Sequence, residues 1–247
     1  EVDRMKEADL ILESDSPWAS PMVMTRKTNG SLRFCVDYRK LNGVTARPSY
    51  PLPPIDECLG ALRGQEYFST LDLGGGVWQI GMDPSDRQKT AFATRSGLYE
   101  FRVMPFGLAT APATFNRLME LALRGLQWKR CLVYLEDVVT LGRDFEDALT
   151  NLALVLERLR ETNLKVRPEG CLLLQTHLNF RGHVIRREGV ECDPEHTRAV
   201  REMISPANLL EVRAFLGFAG YYRRFIKDFA EIAEPLSDMT RKDARFR

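Results

Sequence analysis

Two adjacent carboxylates, Glu136 and Asp137, interrupt an apolar stretch of the sequence. The runs at 131–135 and 138–141 on either side are short and contain Val and Leu, which is typical of strands. The sequence therefore predicts a hairpin with both carboxylates at its tip. Adjacent carboxylates repel each other beside an apolar core unless water, basic side chains or a cation compensates. Because Mg²⁺ prefers carboxylate oxygens, a cation site is one interpretation, and a solvated acidic turn is the other.

A third carboxylate, Asp72, ends an apolar stretch far from this pair in the chain. Residues 67–73 alternate between apolar and polar types, which predicts a half-buried strand. Three glycines follow at 74–76, and glycines let another group approach the backbone closely. Asp72 is therefore a candidate ligand, with a turn or helix-capping role as the alternative.

A basic turn lies near the N-terminus. Asn29 and Gly30 separate two apolar runs, a pattern that favours a β-hairpin. Arg26, Lys27 and Arg33 lie close to its predicted tip, and basic groups on a projecting hairpin can bind phosphates. A solvated turn explains the same residues equally well.

The composition is that of an ordinary folded protein. The chain has 247 residues, a formal net charge of +1, 44% hydrophobic residues and 28% charged residues. A net charge near zero neither favours nor excludes nucleic acid, because a basic groove can be balanced by acidic residues elsewhere. No run approaches about 18 apolar residues, and the charged N-terminus is unlike a signal peptide, so we expect no membrane association and an intracellular protein. The five cysteines form no C-x-x-C pair and the three histidines lack metal-ligand spacing, which excludes the common zinc patterns.

The periodicity of apolar residues indicates both helices and strands. Helices are predicted over 55–62, 112–126 and 145–162, and strands over 67–73, 78–82, 88–94 and 98–104. Asn208 and Glu211 resemble a capping box at the start of a helical region over 209–229.

Long motifs then follow one another along almost the whole chain. They are SPWASP (16–21), CVDYRKLN (35–42), YPLPPID (50–56), FSTLDL (68–73), YEFRVMPFGLATAPATFNRLM (99–119), YLED (134–137), LKVRPEGC (164–171), FRGHVI (180–185) and VRAFLGFAGYYRRFIKDFAEIAEPL (212–236). In this order they resemble the reverse transcriptase of gypsy-type long-terminal-repeat retrotransposons and their retroviral relatives.

The resemblance implies an α+β right-hand polymerase, in which an antiparallel palm sheet packs on helices. By this resemblance the fingers are 1–66 and 85–110, the palm is 67–84 and 111–185 with the primer-grip hairpin, and 186–247 is the thumb with the start of the connection. A ribonuclease H domain is expected beyond residue 247. The implied reaction is RNA-directed, and also DNA-directed, DNA synthesis in the cytoplasm, within a virus-like particle, or in the nucleus.

The resemblance also implies roles for individual residues. Asp72, Glu136 and Asp137 match the catalytic carboxylates that hold two Mg²⁺ ions, with Mn²⁺ as a substitute, and Leu73 joins them in the metal site. The implied nucleotide-binding residues are Lys27, Arg33, Val77, Phe106 and Gly107. The implied primer grip is Phe180, Arg181, Gly182 and His183. The implied partners are an RNA or DNA template with its primer, deoxynucleoside triphosphates, and ribonuclease H or integrase neighbours in a polyprotein.

Several residues depart from the family pattern. Glu136 replaces the first Asp of the motif Tyr-x-Asp-Asp, and its extra methylene moves the carboxylate by about 1.5 Å. Because a misplacement of about 1 Å at a reacting centre can cost about 100-fold in rate, we expect impaired catalysis. Further departures are Val77 for an aromatic residue, Gly170 for Lys, Arg181 for an apolar residue, and Gly74-Gly75 for a basic or polar pair. The alternatives are a template–primer binding protein without turnover and a folded remnant with neither property.

Overall fold

A computed structural model describes residues 1–26, 30, 32–46, 48, 50 and 53–241, with only the backbone at 32 and 33. It divides into two compact units. The first comprises Glu1–Ala61 and Gln65–Gln175, and the second comprises Leu62–Gly64 and Thr176–Arg247. The predicted primer-grip hairpin therefore clusters with the C-terminal helices, whereas the prediction grouped it with the palm. The assignment of fingers, palm and thumb stays a prediction.

Strands and helices are interspersed along the part up to Gln175. Its strands are β1 (Ile11–Glu13), β2 (Ser20–Arg26), β3 (Leu32–Val36), β4 (Tyr67–Asp72), β5 (Phe92–Thr94), β6 (Gly97–Phe101), β7 (Cys131–Tyr134), β8 (Asp137–Gly142) and β9 (Leu172–Gln175). Its helices are α1 (Val2–Glu7), α2 (Arg39–Val44), α3 (Ile55–Leu62), α4 (Ala111–Ala122) and α5 (Phe145–Glu161). Short 3₁₀ turns lie at Gly76–Gln79, Arg87–Thr90 and Pro168–Gly170.

A four-stranded antiparallel sheet, in the order β7-β8-β4-β9, carries the acidic segments. Apolar residues of its strands pack with residues of α4 and α5 in one buried cluster. Its members include Leu71, Val133, Val138, Phe115, Met119, Leu152 and Val155. The start of α5 is fixed by Asp144, whose side chain accepts a hydrogen bond of 2.9 Å from the backbone N–H of Asp147. Two helices thus hold the sheet on which the carboxylates lie.

A second sheet, in the order β1-β6-β5-β2-β3, contains the basic hairpin. Strands β2 and β3 pair antiparallel, with Arg26 opposite Leu32, which confirms the predicted hairpin. Its loop residues Lys27, Thr28, Asn29 and Ser31 lie outside the described residues. A separate apolar cluster, including Phe92, Tyr99 and Phe101, supports this sheet.

The second unit contains a three-stranded antiparallel sheet followed by helices. Its elements are β10 (Leu178–Phe180), β11 (His183–Arg186), β12 (Gly189–Cys192), α6 (Pro194–Arg201), α7 (Leu209–Tyr221) and α8 (Phe229–Asp238). The capping box is confirmed at α7: the Asn208 side chain accepts from the Glu211 N–H at 3.0 Å. In a standard capping box the Glu side chain accepts from the N–H of the capping residue, whereas here Glu211 accepts from the N–H of the preceding residue, Ala207, at 2.7 Å.

Several predicted boundaries are wrong. The predicted strand at 78–82 is a 3₁₀ turn at Gly76–Gln79, which follows Gly75 in a left-handed conformation. The predicted helical region over 209–229 ends at Tyr221, and α8 starts after Asp228, whose φ is 55°. By contrast, the helix over 55–62 is confirmed, and the helix over 145–162 ends one residue early. Within the described part of the chain, every helix is too short or too polar to cross a bilayer.

Candidate active site

The acidic hairpin is formed by β7 and β8, with Tyr134 opposite Asp137. Its loop is therefore the pair Leu135 and Glu136, and Asp137 is the first residue of β8. The prediction that both carboxylates lie at the tip is wrong, because the two-residue loop lies one residue earlier in the chain and only Glu136 belongs to it. Two-residue loops are the commonest hairpin connections and require a positive φ at their first residue, which Leu135 supplies at 57°.

The third carboxylate meets this hairpin through strand pairing. Strands β4 and β8 are antiparallel neighbours, and Asp72 lies directly opposite Asp137. Cα atoms of directly opposed residues are about 4.5–5.5 Å apart, and their side chains share one face of the sheet. Two segments separated by more than 60 residues in the chain are thus brought together, with Glu136 next to them.

Asp72 is held by donors on both carboxylate oxygens. Its Oδ1 accepts a hydrogen bond of 2.7 Å from the backbone N–H of Gly74. Its Oδ2 forms a short ion pair with Nη2 of Arg167. Burial raises the pKa of the Asp72 carboxyl, but the Gly74 hydrogen bond and Arg167 outweigh that effect and lower the pKa below its ordinary value of 3.8. Asp72 is therefore ionised at neutral pH.

The chain segment around the 3₁₀ turn Pro168–Gly170 packs against Asp72 and is hydrogen-bonded to it. The Arg167 N–H donates to the Asp72 carbonyl at 2.8 Å, and the Asp72 N–H donates to Sγ of Cys171 at 3.4 Å. A Cβ at Gly170 would lie 2.7 Å from Cβ and Cγ of Asp72, closer than real Cβ contacts. A lysine, which the family pattern has at this position, does not fit this arrangement.

The donor set suits a divalent cation in type, because Asp72, Glu136 and Asp137 all offer carboxylate oxygens. In the part of the chain that the structure describes, however, no three His, Cys, Asp or Glu side chains converge as a metal-binding group. Arg167 pairs with Asp72 instead. The backbone places the donors together, and cation binding requires the side chains to rearrange. The side chain of Leu73 is buried, and its carbonyl accepts a hydrogen bond from the Gln79 amide.

Comparison with known proteins identifies the family. A model described as reverse transcriptase (RNA-dependent DNA polymerase) matches residues 25–185, which is more than half of the chain and includes all three carboxylates. The chain belongs to the reverse transcriptase family. The predicted gypsy-type resemblance is confirmed by the relatives.

Those relatives are retrotransposon polyproteins. The chain is 42% identical over 247 residues to the retrovirus-related Pol polyprotein from transposon 297 of Drosophila melanogaster, covering 98% of the chain and 23% of that protein. It is 36% identical over 245 residues to the corresponding polyprotein from transposon gypsy of the same organism, covering 97% of the chain and 24% of that protein. The chain thus spans about a quarter of the length of these relatives.

Solved structures confirm the fold. The chain is similar to a foamy viral protease-reverse transcriptase in complex with double-stranded DNA, with a TM-score of 0.89 and 24% identity over 99% of this chain and 43% of that chain. It is also similar to the foamy viral protein in complex with an RNA/DNA hybrid, with a TM-score of 0.82 and 24% identity over 97% of this chain and 32% of that chain. The predicted α+β polymerase fold is therefore confirmed.

The predicted nucleotide-binding residues lie in different settings. Val77 is 3% exposed in the cluster beneath the four-stranded sheet. Phe106 is 46% exposed, with its ring centroid 5.3 Å from that of Trp78. Gly107 has a φ of 94°, and its carbonyl accepts from the Asn42 side chain at 2.8 Å. Lys27 lies outside the described residues, and only the backbone of Arg33 is described, so the nucleotide-binding roles stay predictions.

The predicted primer grip forms a second hairpin. Phe180 pairs with His183 across β10 and β11, and the loop residues Arg181 and Gly182 have φ values of 49° and 79°. Positive φ at both loop residues is typical of a type I′ turn. The hydroxyl of Tyr221 in α7 donates to the Arg181 carbonyl at 2.8 Å. Burial lowers the pKa of His183, which favours the neutral imidazole in the folded unit.

Sequence reasoning missed Arg167 and Tyr221 as neighbours of the site residues. Arg167 lies 95 positions from Asp72, and Tyr221 lies 40 positions from Arg181. No spacing rule connects residues so far apart, because strand order and helix packing decide which of them meet. One signal in the sequence pointed to Arg167 as a residue near the site: it belongs to the motif LKVRPEGC, in which Gly170 replaces the Lys of the family pattern.

Proposed function

We propose that this chain is the polymerase part of a reverse transcriptase, extending a primer on an RNA or DNA template with deoxynucleoside triphosphates. The observation that carries the proposal is the placement of Asp72 opposite Asp137, with Glu136 in the adjoining loop. Membership of the reverse transcriptase family supports it. The foamy viral relatives, solved with DNA and with an RNA/DNA hybrid, support template–primer duplexes as partners.

Asp72, Glu136, Asp137 and the carbonyl of Leu73 would hold the two Mg²⁺ ions. Such ions activate the primer 3′ hydroxyl and neutralise charge on the departing pyrophosphate. The chain itself contributes a rigid sheet that keeps Asp72 and Asp137 on one face, and an ionised Asp72. The extra methylene of Glu136 is expected to slow the reaction, because Mg²⁺ demands near-ideal octahedral geometry.

Primer extension with Mg²⁺ and with Mn²⁺ tests the proposal. We expect Asp72→Asn and Asp137→Asn each to lower the extension rate by more than about 100-fold, because each removes a charged ligand. Asp9→Asn is the matched control. Asp9 is an exposed carboxylate outside this sheet, and its Oδ1 lies 3.3 Å from Nε of Arg102. Equal extension by all three variants would contradict the assigned site.

A second candidate function is template–primer binding without turnover. The pairing of Arg167 with Asp72, and the lack of a converged ligand group among the described residues, favour it. It predicts salt-dependent duplex binding by the unmodified chain, with no extension in either metal. Extension above the level of Asp72→Asn would exclude this candidate.

A further inference from the structure

One carboxylate of the proposed metal site already has a cationic partner. Arg167 pairs through Nη2 with Oδ2 of Asp72, while Gly74 donates to Oδ1. A guanidinium and a divalent cation repel each other when they lie a few ångströms apart. The two therefore compete for Asp72.

The backbone around Arg167 is tied to the end of β4 by several hydrogen bonds. The Arg167 N–H donates to the Asp72 carbonyl at 2.8 Å, and the Gly170 N–H donates to the Arg167 carbonyl at 3.1 Å. The Cys171 thiol lies 3.3 Å from the Arg167 carbonyl and 3.4 Å from the Asp72 backbone nitrogen. The Cα of Arg167 is thus anchored beside Asp72, and only its side chain is free to change position.

The ion pair of Arg167 and Asp72 depends on a neighbouring glycine and is partly exposed to solvent. Gly170 packs against the Asp72 side chain with no room for a Cβ, so the close approach depends on a glycine there. The Arg167 side chain is 60% exposed, and the Asp72 side chain is 28% exposed. Because the arginine faces solvent, it can leave Asp72 without unpacking any buried group.

We propose that Arg167 is a positioning residue that acts as an internal counter-ion of Asp72, and that a divalent cation binds Asp72 only after displacing it. This inference rests on the proposed function, because it assumes that Asp72 is a cation ligand. The arginine weakens cation binding and raises the metal concentration that the chain requires. The contribution is electrostatic, so it depends on the charge at residue 167.

Direct Mn²⁺ binding, measured by the electron paramagnetic resonance signal of the free ion, tests the inference without primer or nucleotide. We expect Arg167→Ala to bind Mn²⁺ about tenfold more tightly than the parent chain at low salt, because it removes the competing charge. Arg167→Gln keeps a hydrogen-bond donor without the charge and should give the same gain. The gain should shrink at high salt, since the pair is partly exposed.

Arg143→Ala is the matched control, because Arg143 and Asp147 form a similar pair in the same unit, with side chains 77% and 25% exposed. It should leave Mn²⁺ binding unchanged. Unchanged affinity in folded Arg167→Ala or Arg167→Gln, as judged by circular dichroism, would overturn the inference. Should Asp72→Asn bind Mn²⁺ as tightly as the parent, the metal site of the proposed function fails instead. If Asp72→Asn abolishes binding while both Arg167 variants match the parent, only the inference fails.

Discussion

The acidic hairpin of β7 and β8 and the primer-grip hairpin of β10 and β11 have the same loop length. In each, the first of two loop residues has a positive φ, 57° at Leu135 and 49° at Arg181. The second loop residue differs: it is Glu136 in the first hairpin and Gly182, with a φ of 79°, in the second. The two loops therefore share a positive φ at their first residue only, since Glu136 has no positive φ, and they present a carboxylate in one hairpin and a glycine in the other.

The two hairpins are also held by different means. The acidic hairpin is positioned by its register, because β8 lies between β7 and β4 in the sheet. The primer-grip tip is held by a side chain, because the Tyr221 hydroxyl donates to the Arg181 carbonyl. The Tyr222 hydroxyl lies close enough to Gly182 to clash with a Cβ at that residue. Substitutions at the tip of the acidic hairpin should therefore change the rate of primer extension, whereas substitutions at the primer-grip tip should change the free energy of unfolding.

Among substitutions at the two hairpin tips, the largest effect is expected for Glu136→Asp. Shortening the side chain by one methylene restores the family's ligand length, and we expect extension to rise by about 100-fold, equivalent to about 2.7 kcal/mol of activation free energy. Single-turnover primer extension measures the change, and urea unfolding should show the same stability as the parent. No gain in rate would refute the geometric explanation of impairment.

A smaller effect is expected for Gly182→Ala at the other tip. A left-handed conformation costs a residue with a Cβ about 1–2 kcal/mol, and here the Cβ also meets Tyr222, so we expect unfolding free energy to fall by about 2 kcal/mol. Urea unfolding followed by circular dichroism measures it. Gly217→Ala is the control: Gly217 lies inside α7 with open space at its Cβ position, so alanine should be neutral or stabilising there. Equal effects of the two substitutions would contradict the cost assigned to the left-handed conformation and the Tyr222 contact at residue 182.

The smallest effect is expected for Tyr221→Phe. It removes one partly exposed hydrogen bond to the Arg181 carbonyl, and His183 Nδ1, 3.1 Å from the same oxygen, can still donate when it carries the proton. We expect unfolding free energy to fall by about 1 kcal/mol, with faster amide exchange at the hairpin tip. Tyr67→Phe should have no such effect, since the Tyr67 hydroxyl has no protein hydrogen-bond partner among the described residues. A tip that exchanges at the parent rate would show that α7 does not hold it.

Local pattern predicted some elements well and others poorly. The helix over 55–62 and the helix starting at Phe145 are predicted correctly, because the spacing of apolar residues acts within a few residues. Residues 78–82 were misread as a strand, since an apolar run this short does not reveal that the backbone follows the left-handed Gly75 into a 3₁₀ turn. The tip of the acidic hairpin was misplaced by one residue, because the choice of loop depends on the pairing of Asp137 with both Tyr134 and Asp72.

The amino-acid sequence by itself determined the family, the three carboxylates and the alternation of strands and helices, because motifs and periodicity are properties of short segments. Only the tertiary structure decided that Asp72 faces Asp137, that Arg167 pairs with Asp72, and that Tyr221 reaches Arg181. These contacts join residues 40 to 95 positions apart, or lie across neighbouring strands, so no local rule specifies them. Sheet register and close packing bring such residues together, and both are established only when distant segments of the chain have folded against one another.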